Sequence, residues 1–298
     1  MTETGSCLVC GSTDTEVLYA AKDHLVSGED FMLKRCRVCG FTFTADPPDE
    51  KDIAKFYLSE DYISHSDKKQ SLTDRLYHFA RIYMLRKKYN LVCRMTGMET
   101  GALVDIGSGT GYFAGYMNRR GWNVKGIELS EQARNYSVAK FGLTVVSPLE
   151  ISSIKDSFAD CVTLWHVLEH LYDPAMWLKE IMRILKDDGI CIIALPNIKS
   201  ADARWFGEVW AALDVPRHLW HFSPETLRAF INEHGLICRK VIPMPLDIYY
   251  ISALSYKNRG RSFPLFRGTI TGLFLTFESL FKKDRASSLI YVVSKQRG

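Results

Sequence analysis

Residues 103–111 read Leu-Val-Asp-Ile-Gly-Ser-Gly-Thr-Gly, an apolar run that ends in three alternating glycines. Glycine alone adopts left-handed backbone angles without a steric penalty, so the run predicts a buried strand leaving through a tight turn whose backbone can approach a ligand closely. A helix expected over 112–120 would aim its first amides at the same place. Asp105 stands just before the turn, at the strand end where open α/β sheets bind ligands. This feature alone points to a nucleotide-type cofactor and to an α/β fold.

The spacing is G-x-G-x-G, whereas the dinucleotide fingerprint is G-x-G-x-x-G and has no required acid at the place of Asp105. Downstream, residues 123–128 read as a second short strand ending in Glu128, whose carboxylate can accept from both ribose hydroxyls; NAD would use such an acid equally well. A third strand is expected over 143–147, leading to Pro148-Leu149-Glu150. The segment 158–171, Phe-Ala-Asp-Cys-Val-Thr-Leu-Trp-His-Val-Leu-Glu-His-Leu, reads as a fourth strand running into a helix, with His166 at the strand's C-terminal end. Asp187-Asp188-Gly189 predicts a turn before a fifth strand over 190–195, and further strands are expected over 236–242 and 288–294.

Asp105, Gly107, Gly109 and Gly111, followed in order by Glu128 and the 158–171 segment, resemble the class I methyltransferases that use S-adenosylmethionine (SAM). The resemblance implies a doubly wound Rossmann-like sheet, with Asp105 and the three glycines placing the methionine end of SAM and Glu128 its ribose. Where that family commonly carries an acid for the adenine amine, this chain has Pro148 or Leu149; Leu149 is carried over as the adenine neighbour, and His166 as a cofactor neighbour.

A separate signal lies at the N-terminus. Cys7-Leu-Val-Cys10 and Cys36-Arg-Val-Cys39 are two C-x-x-C pairs with 25 residues between them, joined by expected strands over 16–21 and 31–35. Two such turns can close a tetrahedral zinc site, and four protein thiolates leave no open position, so the expected zinc is structural. The remaining cysteines, Cys93, Cys161, Cys191 and Cys238, lie in apolar stretches and read as small core residues. The expected division is a zinc ribbon over 1–46, a linker and helical lid over 47–98, and a methyltransferase domain over 99–298.

Charge bears on partners. The net charge of +4 is uneven: residues 1–48 hold four basic against seven acidic side chains, a poor face for RNA phosphates. The stretch 68–94 holds eight basic residues against Asp74 and could face an anionic acceptor, although Leu72, Leu76, Phe79, Tyr83, Leu91 and Met95 also suit an amphipathic packing helix. Residues 257–298 hold nine basic against two acidic side chains, around a stretch, 264–281, that sets Phe266, Ile270, Leu273, Phe277 and Leu280 on one helical face. Such a face suits a membrane surface, its own domain or a second copy of the chain; at this length, with Arg267 and Glu278 inside, it is not expected to span a bilayer. The absence of a leader-like pattern at the start gives a cytoplasmic expectation, with peripheral membrane contact as the second.

Two clusters supply candidates for the chemistry. The linker 56–66 is dense in aromatic and hydrogen-bonding groups and resembles that of zinc-ribbon sugar C-methyltransferases, which implies Tyr57, Tyr62 and His65 as neighbours of cofactor or substrate. After the fifth strand come Asp214-Val-Pro-Arg217-His218-Leu-Trp220-His221-Phe222-Ser223-Pro-Glu. Ser223-Pro224 marks a helix start. SAM's methyl group is already electrophilic, so the enzyme has to align the nucleophile and remove its proton; His218 and His221 are the candidate general bases and Arg217 a partner for an anionic group. The expected protein is therefore a SAM-dependent methyltransferase acting on a small-molecule, sugar or lipid-linked acceptor. An NAD-dependent oxidoreductase, an RNA methyltransferase and a non-catalytic zinc-ribbon binding module are the alternatives.

Overall fold

The computed structural model describes residues 6–57 and 72–296. At its centre is a seven-stranded sheet in the order β10-β11-β8-β7-β4-β5-β6, formed by β4 (Ala102–Ile106), β5 (Asn123–Ile127), β6 (Thr144–Val146), β7 (Ala159–Trp165), β8 (Leu185–Pro196), β10 (Leu236–Met244) and β11 (Ser288–Lys295). Only β11 runs antiparallel to its neighbours, β8 and β10. The central strands are covered on both faces, which is why their sequences are continuous apolar runs rather than alternating ones: Leu103, Val104, Cys161, Val162, Leu164, Cys191, Ile192 and Ile193 are all inaccessible to solvent.

Helices cover the sheet: α1 (Leu72–Thr96), α2 (Tyr112–Asn118), α3 (Glu131–Phe141), α4 (Pro174–Ile184), α5 (Ala201–Phe206), α6 (Pro224–Glu233), α7 (Asp247–Asn258) and α8 (Pro264–Phe281). The expected start of α6 is present, with the Ser223 hydroxyl accepting from the Thr226 amide. Two local expectations are corrected. The turn at Asp187-Asp188-Gly189 is an irregularity within β8, which already pairs with β7 at Leu185 and regains register at Ile190. The 158–171 segment does not run into a helix. His166 takes a left-handed backbone (φ 57°), a single 3-10 turn covers Leu168–His170, and α4 starts only after Asp173 caps the Met176 amide.

The N-terminal segment folds as a second sheet in the order β1-β2-β3-β9, from β1 (Thr15–Lys22), β2 (Asp30–Cys36), β3 (Thr42–Thr44) and β9 (Trp220–His221). Its last strand belongs to the segment after β8, with Thr42 opposite His221 and Phe43 opposite Trp220. Phe41, at 0% exposure, stacks on Trp220 and Phe222 at ring-centre distances of 6.0 and 5.1 Å. Cys7, Val9, Phe41 and Phe43 thus share one hydrophobic cluster with Val104, Leu164 and Ile193 of the large sheet. The expected boundary at 46 does not separate two cores. The expected lid is likewise part of the domain in its second half, where Leu85, Leu91 and Val92 of α1 pack among Leu103, Phe113 and Met117.

α7 and α8 pack tightly, because a Cβ at Gly268 would lie 2.5 Å from the Ala253 backbone and one at Gly272 2.7 Å from Tyr249. The opposite side of α8 is exposed: Phe266, Ile270, Leu273, Phe274 and Phe277 are each more than half accessible to solvent, with Phe274 against the Trp205 ring. No helix among the described residues is long and apolar enough to cross a membrane.

Candidate functional site

The turn after β4 has the conformation its glycines predict, with φ of 69° at Gly107, 53° at Gly109 and 76° at Gly111. Two of them are also sterically enforced. A Cβ at Gly107 would lie 2.4 Å from Val167 Cγ2, and one at Gly111 would lie 2.6 Å from Ser137 Oγ. Gly109 faces open space, and its amide donates to Glu128 Oε2 at 2.8 Å across the turn. The other carboxylate oxygen of Glu128 accepts from the Ser130 amide at 2.9 Å, so β5 and the glycine turn hold this side chain between them.

Asp105 is 2% exposed and accepts from Thr163 Oγ1 at 2.6 Å. Burial pushes its carboxyl up to about 7, against the pull of Thr163 and of Lys88. Lys88 extends from α1 with its ammonium 4.1 Å from the Trp165 ring centre, and burial brings it down to about 8 despite Asp105 and Asp247. Sequence reading grouped Lys88 with a basic helix face and did not single out Thr163 or Asp247. A signal for Lys88 was present: it lies three residues from both Leu85 and Leu91, on the buried stripe of α1.

A second group gathers at the C-terminal end of β7. The His166 nitrogens stand 3.5 Å from Glu169 Oε1 and 3.7 Å from Asp247 Oδ2. Glu169 is 1% exposed, and neither of its carboxylate oxygens has a hydrogen-bond partner among the described residues. Burial works to raise this carboxyl, but His166, His218 and His170 around it hold it below the usual range. His218 Nε2 lies 3.9 Å from both Glu169 and Asp214, while its Nδ1 is 3.0 Å from the Ala212 carbonyl. The His170 ring meets that of His218 edge-on at 4.5 Å, and Tyr57 OH is 3.1 Å from His170 Nδ1.

The remaining expected site residues lie elsewhere. His221 is 4% exposed in β9, with Nε2 3.1 Å from Thr44 Oγ1, and burial followed by the His218 charge brings it down to about 3. Leu149 is 92% exposed on the turn after β6. Tyr62 and His65 lie outside the described residues. Arg217 is corrected: at 1% exposure its guanidinium is spent on Asp214, Asp23 and the Phe56 carbonyl, and it offers nothing to an anionic acceptor.

At the N-terminus, Cys7 Sγ and Cys39 Sγ are 3.6 Å apart, Cys10 Sγ and Cys36 Sγ 3.5 Å, and all four sulfurs lie within 4.8 Å of one another. Zinc bound at about 2.3 Å would set tetrahedral sulfurs roughly 3.8 Å apart, so the four thiols fit a closed zinc site. Each pair turns through a left-handed glycine, Gly11 or Gly40, whose amide returns to the carbonyl of Cys7 or Cys36.

A sheet with a single antiparallel strand, a glycine turn at the end of β4 and an acid at the end of β5 defines a nucleotide-binding transferase of the class I methyltransferase kind. The sequence profile of a family described as a methyltransferase domain matches residues 78–241. The ubiquinone biosynthesis O-methyltransferase of Alkalilimnicola ehrlichii is 31% identical over 170 residues, 53% of this chain and 68% of that protein. That of Pelagibacter ubique is 31% identical over 162 residues, 49% of this chain and 65% of that one. A SAM-dependent methyltransferase from Archaeoglobus fulgidus has the same fold, with a TM-score of 0.50 at 18% identity over 72% of this chain and 94% of that one. The chain belongs to the methyltransferase-domain family and is a SAM-dependent methyltransferase.

Proposed function

We propose that this enzyme transfers the methyl group of SAM to an oxygen of a small, apolar or lipid-linked acceptor. The observation that carries the reading is the acid–histidine group of buried Glu169 and His218 with half-buried His166, one strand away from the Asp105 turn, on the edge where acceptor and cofactor have to meet. Asp105, the three glycines and Glu128 hold SAM. The acceptor hydroxyl attacks the methyl carbon, the sulfonium–carbon bond breaks, S-adenosylhomocysteine leaves, and the hydroxyl proton passes to a base. His218 is better suited to that role than His221, because Nε2 of His218 faces two carboxylates. The hydroxyl of Thr44 donates to the His218 carbonyl at 2.7 Å, so at His221 Nε2 the ring itself must donate to Thr44.

Two further features support the reading. The relatives named above are O-methyltransferases of ubiquinone biosynthesis, and the exposed face of α8, flanked by Arg261, Arg267, Lys282 and Arg285, suits an anionic membrane surface from which an apolar acceptor is drawn. Zinc in the four-cysteine site holds the ribbon together and takes no part in the transfer.

The test is transfer of labelled methyl from SAM into a host extract separated into polar metabolites, lipids, RNA and protein, with Asp105→Asn as control. Asp105-dependent label in lipid or apolar metabolites is expected; label in RNA or protein would overturn the acceptor assignment. Sedimentation with anionic vesicles, lost in a Phe266→Ser/Phe277→Ser variant that still binds SAM, checks the membrane surface. A concentration-dependent dimer abolished by the same substitutions would assign that face to a second copy.

A further inference from the structure

Hydrogen bonding within the protein leaves one part of the acceptor side unexplained. Glu169 is enclosed, yet neither carboxylate oxygen is bonded among the described residues, and a buried carboxylate in that state is strongly unfavourable unless something compensates it. Three histidines surround it, His166 with Nδ1 3.5 Å from Oε1, and His170 and His218, which are held in a fixed tautomer. His170 Nδ1 is 2.9 Å from the Arg217 carbonyl and His218 Nδ1 3.0 Å from the Ala212 carbonyl. A carbonyl only accepts, so both Nδ1 atoms carry the proton and both rings keep their lone pair on Nε2. Imidazoles held in this way by backbone carbonyls are oriented as metal ligands are. One donor atom from each of Glu169, His170 and His218 lies within 4.8 Å of the other two.

We propose that Glu169, His170 and His218 hold a divalent transition-metal ion, separate from the ribbon zinc. Two imidazole nitrogens and one carboxylate oxygen suit zinc, manganese(II) or iron(II), and three protein ligands leave a position open. Asp214 stands 3.9 Å from His218 but is committed to Arg217, and His166, between Glu169 at 3.5 Å and Asp247 at 3.7 Å, is not one of the three residues whose donor atoms converge, so neither completes the set. Glu169 and His170 lie on the turn just after β7, the strand that pairs with β4. The role of the open position, though not its existence, rests on the O-methyl-transfer reading: an acceptor oxygen bound there loses its proton more readily, and His218 acts through the ion it holds instead of taking the proton itself.

The test uses the full chain, zinc-loaded at the ribbon, dialysed against manganese(II), a hard ion that thiolates do not favour. About one manganese per chain is expected for the wild type. Glu169→Gln and His218→Gln should each weaken manganese binding at least about tenfold, with ribbon zinc and SAM affinity unchanged as the check on folding. If the wild type takes up neither manganese nor, with zinc in excess, a second zinc, the proposal is overturned. Equal binding by both variants overturns it as well. Loss of SAM binding by the wild type would instead sink the methyltransferase reading, which the metal count does not touch.

Discussion

Asp105→Asn isolates the cost of burying the acid that precedes the glycine turn. The Asp105 carboxyl is held at about 7 in the folded chain, against an ordinary value of 3.8. Because the folded form keeps its proton to higher pH, the folded state binds more protons than the unfolded one between those values. Stability therefore falls as pH rises through that window and levels off above about 7. At about 1.36 kcal/mol for each tenfold change in proton affinity, the full loss is about 4 kcal/mol, of which about 2 kcal/mol falls between pH 5.5 and 7. Asparagine keeps an oxygen for Thr163 and has nothing to titrate. Urea unfolding of both proteins at pH 5.5, 6, 7 and 8, with zinc in excess so that the ribbon contributes equally, should show Asp105→Asn gaining on the wild type by about 2 kcal/mol across the series. SAM carries positive charge and favours the ionised acid, so wild-type affinity should rise about tenfold per pH unit below 7 and then flatten, while the variant binds weakly and without that slope. Parallel stability curves for the two proteins would refute the assignment of a raised Asp105.

Four other outcomes follow from the geometry. Gly107→Ala meets Val167 at 2.4 Å with a positive φ, and should weaken SAM binding at least about tenfold; adding Val167→Ala should recover only the steric part, as read by calorimetry. Lys88→Met removes the cation that opposes the rise of Asp105, so the pH at which SAM binding reaches half its plateau should move upward. Arg217→Ala leaves Asp23 and Asp214 without their partner and should cost about 3–5 kcal/mol in urea unfolding. Stripping zinc with a chelator should lower the stability of the whole chain in one transition, since ribbon and sheet share a cluster; a separate early transition monitored by tryptophan fluorescence would contradict that.

The turn after β4 and the four-cysteine cluster were legible because their determinants are local. A glycine at positive φ, an acid before a turn and a second C-x-x-C in register are each written in a few consecutive residues. Strand positions were readable for the same reason, from runs such as Leu103-Val104 and Ile192-Ile193. The surroundings of β9 and His166 were not. Arg217 reads as an exposed cation until Asp23, 194 residues away, is brought against it, and a two-residue strand such as β9 has no periodicity to detect. His166 could be placed at a strand end, but its left-handed backbone, which stops the expected helix, is not a residue-type preference.

The pairing of Thr42 and Phe43 with Trp220 and His221 makes the two halves of the site differ in ownership. The glycine turn after β4 is built within the seven-stranded sheet, from β4, β5 and the helices beside them. His218 is different, because its carbonyl is tied to Thr44 and the segment bearing it is stitched into the ribbon's edge. A chain shortened to the seven-stranded sheet would lose Cys7, Val9, Phe41 and Phe43 from the shared cluster together with the frame that holds residues 211–223, and a ribbon from another enzyme could not be exchanged for this one without rewriting those residues to match.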